Sequence, residues 1–237
     1  MIFSFSRLNL YEQCPFRFYN KYILGKDEPV TQPLALGKAV HQAIDDKING
    51  LSHEEAVLNG YAAADFHKEL KQQEISELVD RAPIQLNMGE TEMYFKLPLA
   101  DEANAPEIQG YIDLYEDGII TDWKTNRVSY NITANKQLAL YAWAISQIED
   151  LKTVKGVLNF LRFKKESSHT FTVDDMEKAR KWALELAKEI NEKEGLLKIQ
   201  PHDYKKLYPA KPSRLCSHCP FAKSCIKIND IETPLGV

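Results

Sequence analysis

The sequence predicts an α+β (α/β) fold, a mixed central β-sheet flanked by helices, and three observations carry that expectation. The first third repeats apolar residues at helical spacing, the middle switches to strand patterning around an Asp117-Gly118 turn, and two later strand runs lie between helical patterns. The order reads helices, three strands, helix, two strands, helix, tail. At 237 residues the chain is long enough for one sizeable core, and 44% hydrophobic with 27% charged residues is ordinary for a globular protein.

Element by element, Ser4 and Ser6 can cap a helix at the start of "SFSRLNLYEQCPFRFYNKYI", Pro15 breaks it, and a second, aromatic-rich helix follows. In "PLALGKAVHQAIDDKING" apolar residues recur from Leu34 through Val40 and Ile44 to Ile48, predicting an amphipathic helix that ends near Gly50. Ser52 opens another, with Glu54 and Glu55 in its first turn, and helical patterning is expected to about Asn87. The runs "ETEMYFKLPL", "EIQGYIDLYE" and "GIITDWK" are strands, the last two joined at Asp117-Gly118 as a tight hairpin. A helix follows in "TANKQLALYAWAISQIED" with Thr133 as its cap, then strands in "VKGVLNFLRF" and "SHTFTV". A long helix carries Met176, Ala179, Ala183, Leu186 and Ile190 on one stripe, with Gly195 as its stop, before a Pro-, Lys- and Cys-rich tail.

No run of about 18 apolar residues exists, so no membrane span is expected. The opening lacks the basic start and long apolar stretch of a signal peptide, which points to the cytoplasm. A net charge of −4 argues against nucleic acid, yet the charge is uneven. Lys198 to Lys227 holds seven Lys/Arg and one acid, Asp203, and Met1 to Lys26 holds four against Glu12. Basic ends of this kind fit a phosphate-binding surface or an ordinary solvated one.

The hairpin carries the chemistry. A two-residue turn at Asp117-Gly118 pairs Glu116 with Ile119, Tyr115 with Ile120, Leu114 with Thr121, and Asp113 with Asp122. Directly opposed residues have Cβ atoms roughly 4.5–5.5 Å apart. Two carboxylates there repel unless a proton or cation lies between them. Lys124 shares their face by the period of two. A hard divalent cation resolves the repulsion, and a salt bridge of Asp122 with Lys124 is the other solution. His41 lies on the apolar stripe of its helix, where a satisfied core histidine and a ligand are both open. Gln137 and Tyr141 form an i, i+4 pair on the helix after the lysine strand.

Taken in order, "GKAVH", "GYID", "DWK" and "QLALY" resemble the PD-(D/E)xK nuclease superfamily, and together with the opening segment they resemble its RecB/AddB/Cas4-like branch. The resemblance touches both termini and the centre and leaves about residues 50–90 and 165–200 without diagnostic motifs. It implies a restriction-endonuclease-like core at 91–195, a helical region at 1–90 and a basic Cys-rich tail at 196–237, all one nuclease domain. It implies Mg²⁺ or Mn²⁺ held by His41, Asp113, Asp122 and the backbone carbonyl of Trp123. Lys124 would orient or help deprotonate the attacking water and offset phosphate charge, with Gln137 and Tyr141 contacting DNA or bracing the site. Asp122 stands where many relatives carry Glu. The implied activity is a deoxyribonuclease, a single-stranded DNA exonuclease in recombination and repair or in CRISPR spacer acquisition, with a helicase or a CRISPR integrase as partner.

The four cysteines, Cys14 and the C-x2-C-x5-C run Cys216, Cys219 and Cys225, have metal-ligand rather than disulfide spacing. Spacing alone fits a structural Zn²⁺, with His218 a competing ligand. The resemblance implies instead a [4Fe-4S] cluster held by one N-terminal and three C-terminal cysteines. Such closure would join the basic ends into one patch, with Lys205, Lys206, Lys211, Arg214, Arg17 and Lys21 as phosphate contacts and Phe16, Phe18 and Tyr19 either stacking on bases or packing in the core. A catalytically silent DNA-binding subunit and a zinc-stapled binding protein are the alternatives.

Overall fold

A computed structural model describes residues 1–229. The chain forms α1 (Phe5–Gln13), α2 (Pro15–Phe18), α3 (Gln32–Ile48), α4 (His53–Ala63), α5 (Gln72–Val79), β1 (Glu90–Pro98), β2 (Glu107–Glu116), β3 (Ile119–Lys124), α6 (Lys136–Glu149), β4 (Thr153–Phe160), β5 (Lys165–Thr172), α7 (Val173–Ile199), α8 (Tyr204–Leu207) and α9 (Ala222–Asn229). The sheet order is β1-β2-β3-β4-β5. The β2/β3 and β4/β5 pairs are antiparallel and β3/β4 is parallel, so the sheet is mixed as expected. Two compact units are distinguished: Val30–Leu97 with Gly110–Arg180, and Met1–Pro29 with Pro98–Gln109 and Lys181–Val237.

The first of these contains the sheet except for Pro98 of β1 and Glu107–Gln109 of β2. Its helical core stacks Leu36, Val40, Ile44 and Ile48 of α3 against Val57, Ile75 and Leu78, with Leu114 and Trp123 from the strands. α4 begins with a reciprocal capping box between Ser52 and Glu55, and Gly60 lets it approach α3 so closely that a Cβ would stand 2.2 Å from the Ala39 carbonyl oxygen. Helical patterning does not persist to Asn87. The chain turns left-handed at Asp65 and Phe66, α5 ends at Val79, and Asn87 is itself left-handed before β1. The β2/β3 turn is the expected one, with Asp117 at φ 45° and Gly118 at φ 78°. Pairing follows the predicted register from Glu116/Ile119 to Leu114/Thr121. Asn135, not Thr133, caps α6 and accepts from the Gln137 amide. Thr133 sits in a preceding 3-10 turn, bonded to Asn131.

The second unit ties the chain ends together. Ser4 caps α1, Pro15 starts α2, and Tyr11, Phe18, Tyr19 and Tyr208 form an aromatic cluster with centroid spacings of 5.3–6.4 Å. The Tyr11 hydroxyl donates to Glu189 and accepts from Lys193 on α7, each at 2.7 Å, and the Trp182 indole donates to Glu12. Gly195 does not stop α7. Its would-be Cβ meets nothing, so it costs only about 1 kcal/mol in an exposed helix, and the helix runs to Ile199 ahead of Pro201. No described helix is long and apolar enough to cross a membrane.

Glu28 organises the cations of this unit. It accepts from Arg17 Nε and Lys21 Nζ at 2.7 Å each, with its side chain 11% exposed. Burial alone would raise its pKa, but the bonds from Arg17 and Lys21 hold it below its ordinary 4.5. The stabilisation is therefore present above pH 4.5 and is lost as pH falls through the lower folded value. Glu28→Gln is expected to lower stability at pH 7 by about 2 kcal/mol and to flatten the acid side of a melting temperature against pH profile. An unchanged acid limb would contradict that role.

Candidate functional site

Five elements converge on one end of the sheet. β3 lies between β2 and β4, so neighbours on both sides bury Asp122 to 4% exposure and leave Lys124 at its end half-buried. The β2 ladder ends at Leu114, and one residue beyond it the Asp113 carboxylate, rather than a backbone rung, accepts the Trp123 N–H at 2.8 Å. α3 delivers His41, whose Nε2 meets the Trp123 carbonyl oxygen at 2.7 Å and whose Nδ1 lies 3.3 Å from Asp113 Oδ2. Lys124 Nζ sits 2.6 Å from Asp122 Oδ2 and donates at 3.5 Å to Gln137 Oε1 on α6. That Asp122 oxygen has no partner in hydrogen-bonding geometry, the Lys124 pairing notwithstanding. Tyr141 is buried one turn after Gln137 and packs edge-on against Phe95, 5.2 Å between centroids. Gly110 makes room for both rings, since a Cβ there would stand 2.8 Å from Phe95 and 3.0 Å from Tyr141.

The electrostatics follow from burying two carboxylates beside two cations. Burial opposes charge on His41, yet Asp113 and Asp122 together raise its pKa to about 9. Burial likewise opposes ionisation of Asp113, and His41, the Trp123 amide and Lys124 override it, holding this carboxyl below its usual range. Asp122 goes the other way, pushed up by burial and by the Asp113 charge. Lys124 remains an ammonium, because Asp122 outweighs the cost of burying it. Burial pushes the Tyr141 phenol up to about 12.

His41, Asp113, Asp122, the Trp123 carbonyl, Lys124, Gln137 and Tyr141 thus lie at this end of the sheet. One member is unforeseen. Glu92 on β1 places a carboxylate oxygen within 4.8 Å of ligand atoms of His41 and Asp113. It is an exposed residue in a left-handed backbone conformation, φ 49°, in mid-strand. Nothing in "ETEMYF" marks Glu92 over Glu90, because the signal is a backbone kink. Oxygen donors with one imidazole suit a hard or borderline divalent cation. Asp122 is not in this group, and its buried Oδ2 already faces the Lys124 ammonium at 2.6 Å.

The cysteines are free thiols. Cys14, Cys216 and Cys219 line one small cleft with Arg17, Lys211 and Ser213. Burial raises the Cys219 thiol, as do Cys14 and Cys216, while Arg17 lowers it, and Cys225 is raised by burial and by the other three. The thiols therefore feel one another, but they are not drawn into an ion-sized group, the one such group among the described residues being His41, Glu92 and Asp113.

The remaining predicted contacts are dispersed over the second unit. Arg17 and Lys21 both face Glu28. Lys205 donates to the Ile228 carbonyl, Lys206 pairs with Asp203, and Lys211 donates to the Glu12 carbonyl. Arg214 is exposed at the start of the 3-10 turn Arg214–His218. Phe16, Phe18 and Tyr19 are buried against other aromatics, so they pack in the core and do not stack on bases. Residues 230–237 of the predicted tail lie outside the described residues.

No curated protein matches the sequence. A solved structure described as "Crystal structure of SSO0001" aligns over 92% of this chain and 93% of its own at 14% identity, with a TM-score of 0.35, too distant a likeness to bear on the assignment. The family model of the PD-(D/E)XK nuclease superfamily matches residues 2–226. With that match running through every element of the site, the chain belongs to the PD-(D/E)XK nuclease superfamily.

Proposed function

We propose that this chain is a divalent-metal-dependent deoxyribonuclease of the RecB/AddB/Cas4-like branch, a single-stranded DNA exonuclease with an iron-sulfur cluster on Cys14, Cys216, Cys219 and Cys225. The observation that carries the reading is the meeting of His41, Asp113 and Asp122 with the Lys124 ammonium at the end of β3. In the reading, Mg²⁺ or Mn²⁺ is held by His41, Asp113, Asp122 and the Trp123 carbonyl, with Glu92 added from the solvent side. Bound there, the ion lowers the pKa of water and neutralises phosphate charge. His41 Nε2 and the Trp123 carbonyl oxygen face each other at 2.7 Å, and both would serve as ligands to a bound ion.

Lys124 supplies fixed positive charge to the scissile phosphate. Its raised pKa favours this over service as a base. Gln137 holds the ammonium, and Tyr141 braces the helix that carries Gln137. Lys205, Lys206, Lys211 and Arg214, with Arg17 and Lys21, supply phosphate contacts that are weakened by salt. The protein works in the cytoplasm beside a helicase or a CRISPR integrase.

End-labelled linear and circular single-stranded DNA, incubated with anaerobically purified protein and Mn²⁺, separate the exonuclease reading from its rivals. Shortening of linear strands with circles spared is expected, whereas equal attack on circles would make the enzyme an endonuclease. Glu92→Gln is expected to raise the Mn²⁺ concentration for half-maximal cleavage about tenfold or more, with the saturated rate recovered. An unchanged Mn²⁺ titration would remove Glu92 from the ligand set.

A further inference from the structure

The two strands that carry Glu92 and Asp113 also carry an exposed aromatic pair. Tyr94 stands two residues after Glu92 on β1, and Tyr111 two residues before Asp113 on β2. On β2 residues i and i+2 share a face, Tyr111 being exposed, Ile112 buried and Asp113 partly buried; on β1 the left-handed Glu92 interrupts the alternation, and Tyr94 is placed by its ring against Tyr111. The rings lie 5.1 Å apart between centroids with a 47° tilt. They are 48% and 56% exposed, while the neighbouring Phe95 and Ile112 fill the core from the opposite face. Two residues of strand span about 7 Å, so the pair sits beside the cation cluster, within reach of a base whose phosphate lies there.

We propose that Tyr94 and Tyr111 form a stacking platform for an unpaired nucleobase of the DNA strand being cut. The proposal rests on the nuclease reading above and deepens it by naming what selects the strand. A base inside a duplex has both faces covered by its neighbours. An unpaired base offers a face, and an aromatic side chain accepts any of the four. Lys96 continues the same face of β1 and adds positive charge on the strand's path. Single-strand preference then comes from the wall of the site itself, without hydrogen-bond readout of sequence.

The test is the affinity of the full-length protein, in Ca²⁺ as a weaker Lewis acid than Mn²⁺, for a labelled single-stranded oligonucleotide and for the same strand with abasic sites. The double variant Tyr94→Ala/Tyr111→Ala is expected to bind the intact strand about ten- to a hundredfold more weakly, and Tyr94→Phe/Tyr111→Phe to recover most of that loss. Wild type should bind the abasic strand weakly, with no further loss in the alanine variant. Equal binding of the intact strand by wild type and the alanine variant, or an equal loss on both strands, overturns the platform. A wild type that shows the expected pattern yet cleaves nothing in Mn²⁺ supports the platform and refutes the nuclease reading. One that cleaves while the pattern is missing refutes the platform alone.

Discussion

Lys124→Ala is expected to lower the single-turnover rate of DNA cleavage about a thousandfold, with Mn²⁺ and DNA affinities within a few-fold of wild type. The lysine reaches the proposed cation site from β3, two residues after Asp122, and its ammonium is held by Asp122 at 2.6 Å and by Gln137 at 3.5 Å. Charge held rigidly where a phosphate gains negative charge acts on the transition state more than on binding, so the loss falls on kcat rather than KM. Lys124→Arg is not a rescue, since a planar guanidinium cannot occupy the position of a compact ammonium between Asp122 and Gln137. Removing the lysine also leaves Asp122 buried without its cation. The melting temperature in EDTA should fall and recover when Mn²⁺ is added. A variant that cleaves within tenfold of wild type would show that Lys124 only balances Asp122.

Cys14→Ser is expected to abolish the visible absorbance of an iron-sulfur cluster and to destabilise the chain by about 5 kcal/mol, the chain-entropy value for closing a loop of some 200 residues. For a chain of this size that corresponds to a melting temperature lower by about 10–20 °C. The aromatic cluster of Tyr11, Phe18, Tyr19 and Tyr208 packs in the folded protein, but it does not constrain the unfolded chain, so it would not replace what the proposed cluster contributes. Metal analysis of the wild type distinguishes the chemistry. Four iron atoms per chain support the cube, and one zinc per chain with a colourless protein would overturn it.

The hairpin was legible because its information is local. Asp117-Gly118 sets the turn, the turn sets the register, and the register brings Asp113 towards Asp122. The helical stripe that buries α3 likewise fixes where His41 projects. Features set by tertiary context were not legible. Gly195 reads as a stop, yet α7 passes through it because nothing there penalises an exposed helical glycine beyond its propensity. Thr133 reads as a cap, but it falls inside an additional 3-10 turn, Ile132–Ala134, and Asn135 just after that turn takes the role. Glu92 enters the cation cluster through a left-handed residue in mid-strand, which no side-chain pattern encodes. Glu28 was equally hidden, the second of two adjacent acids, Asp27 and Glu28, after a basic segment, and its capture of Arg17 and Lys21 depends on how that segment folds back.

The central claim is that the cluster at the end of β3 holds a divalent cation on which cleavage depends. The most direct measurement is Mn²⁺ binding by calorimetry alongside cleavage of end-labelled single-stranded DNA, for wild type and Asp113→Ala. The structure predicts that wild type binds Mn²⁺ and cleaves only when it is bound, that EDTA stops cleavage, and that Asp113→Ala loses both together. Cleavage that persists in EDTA or in Asp113→Ala would contradict it.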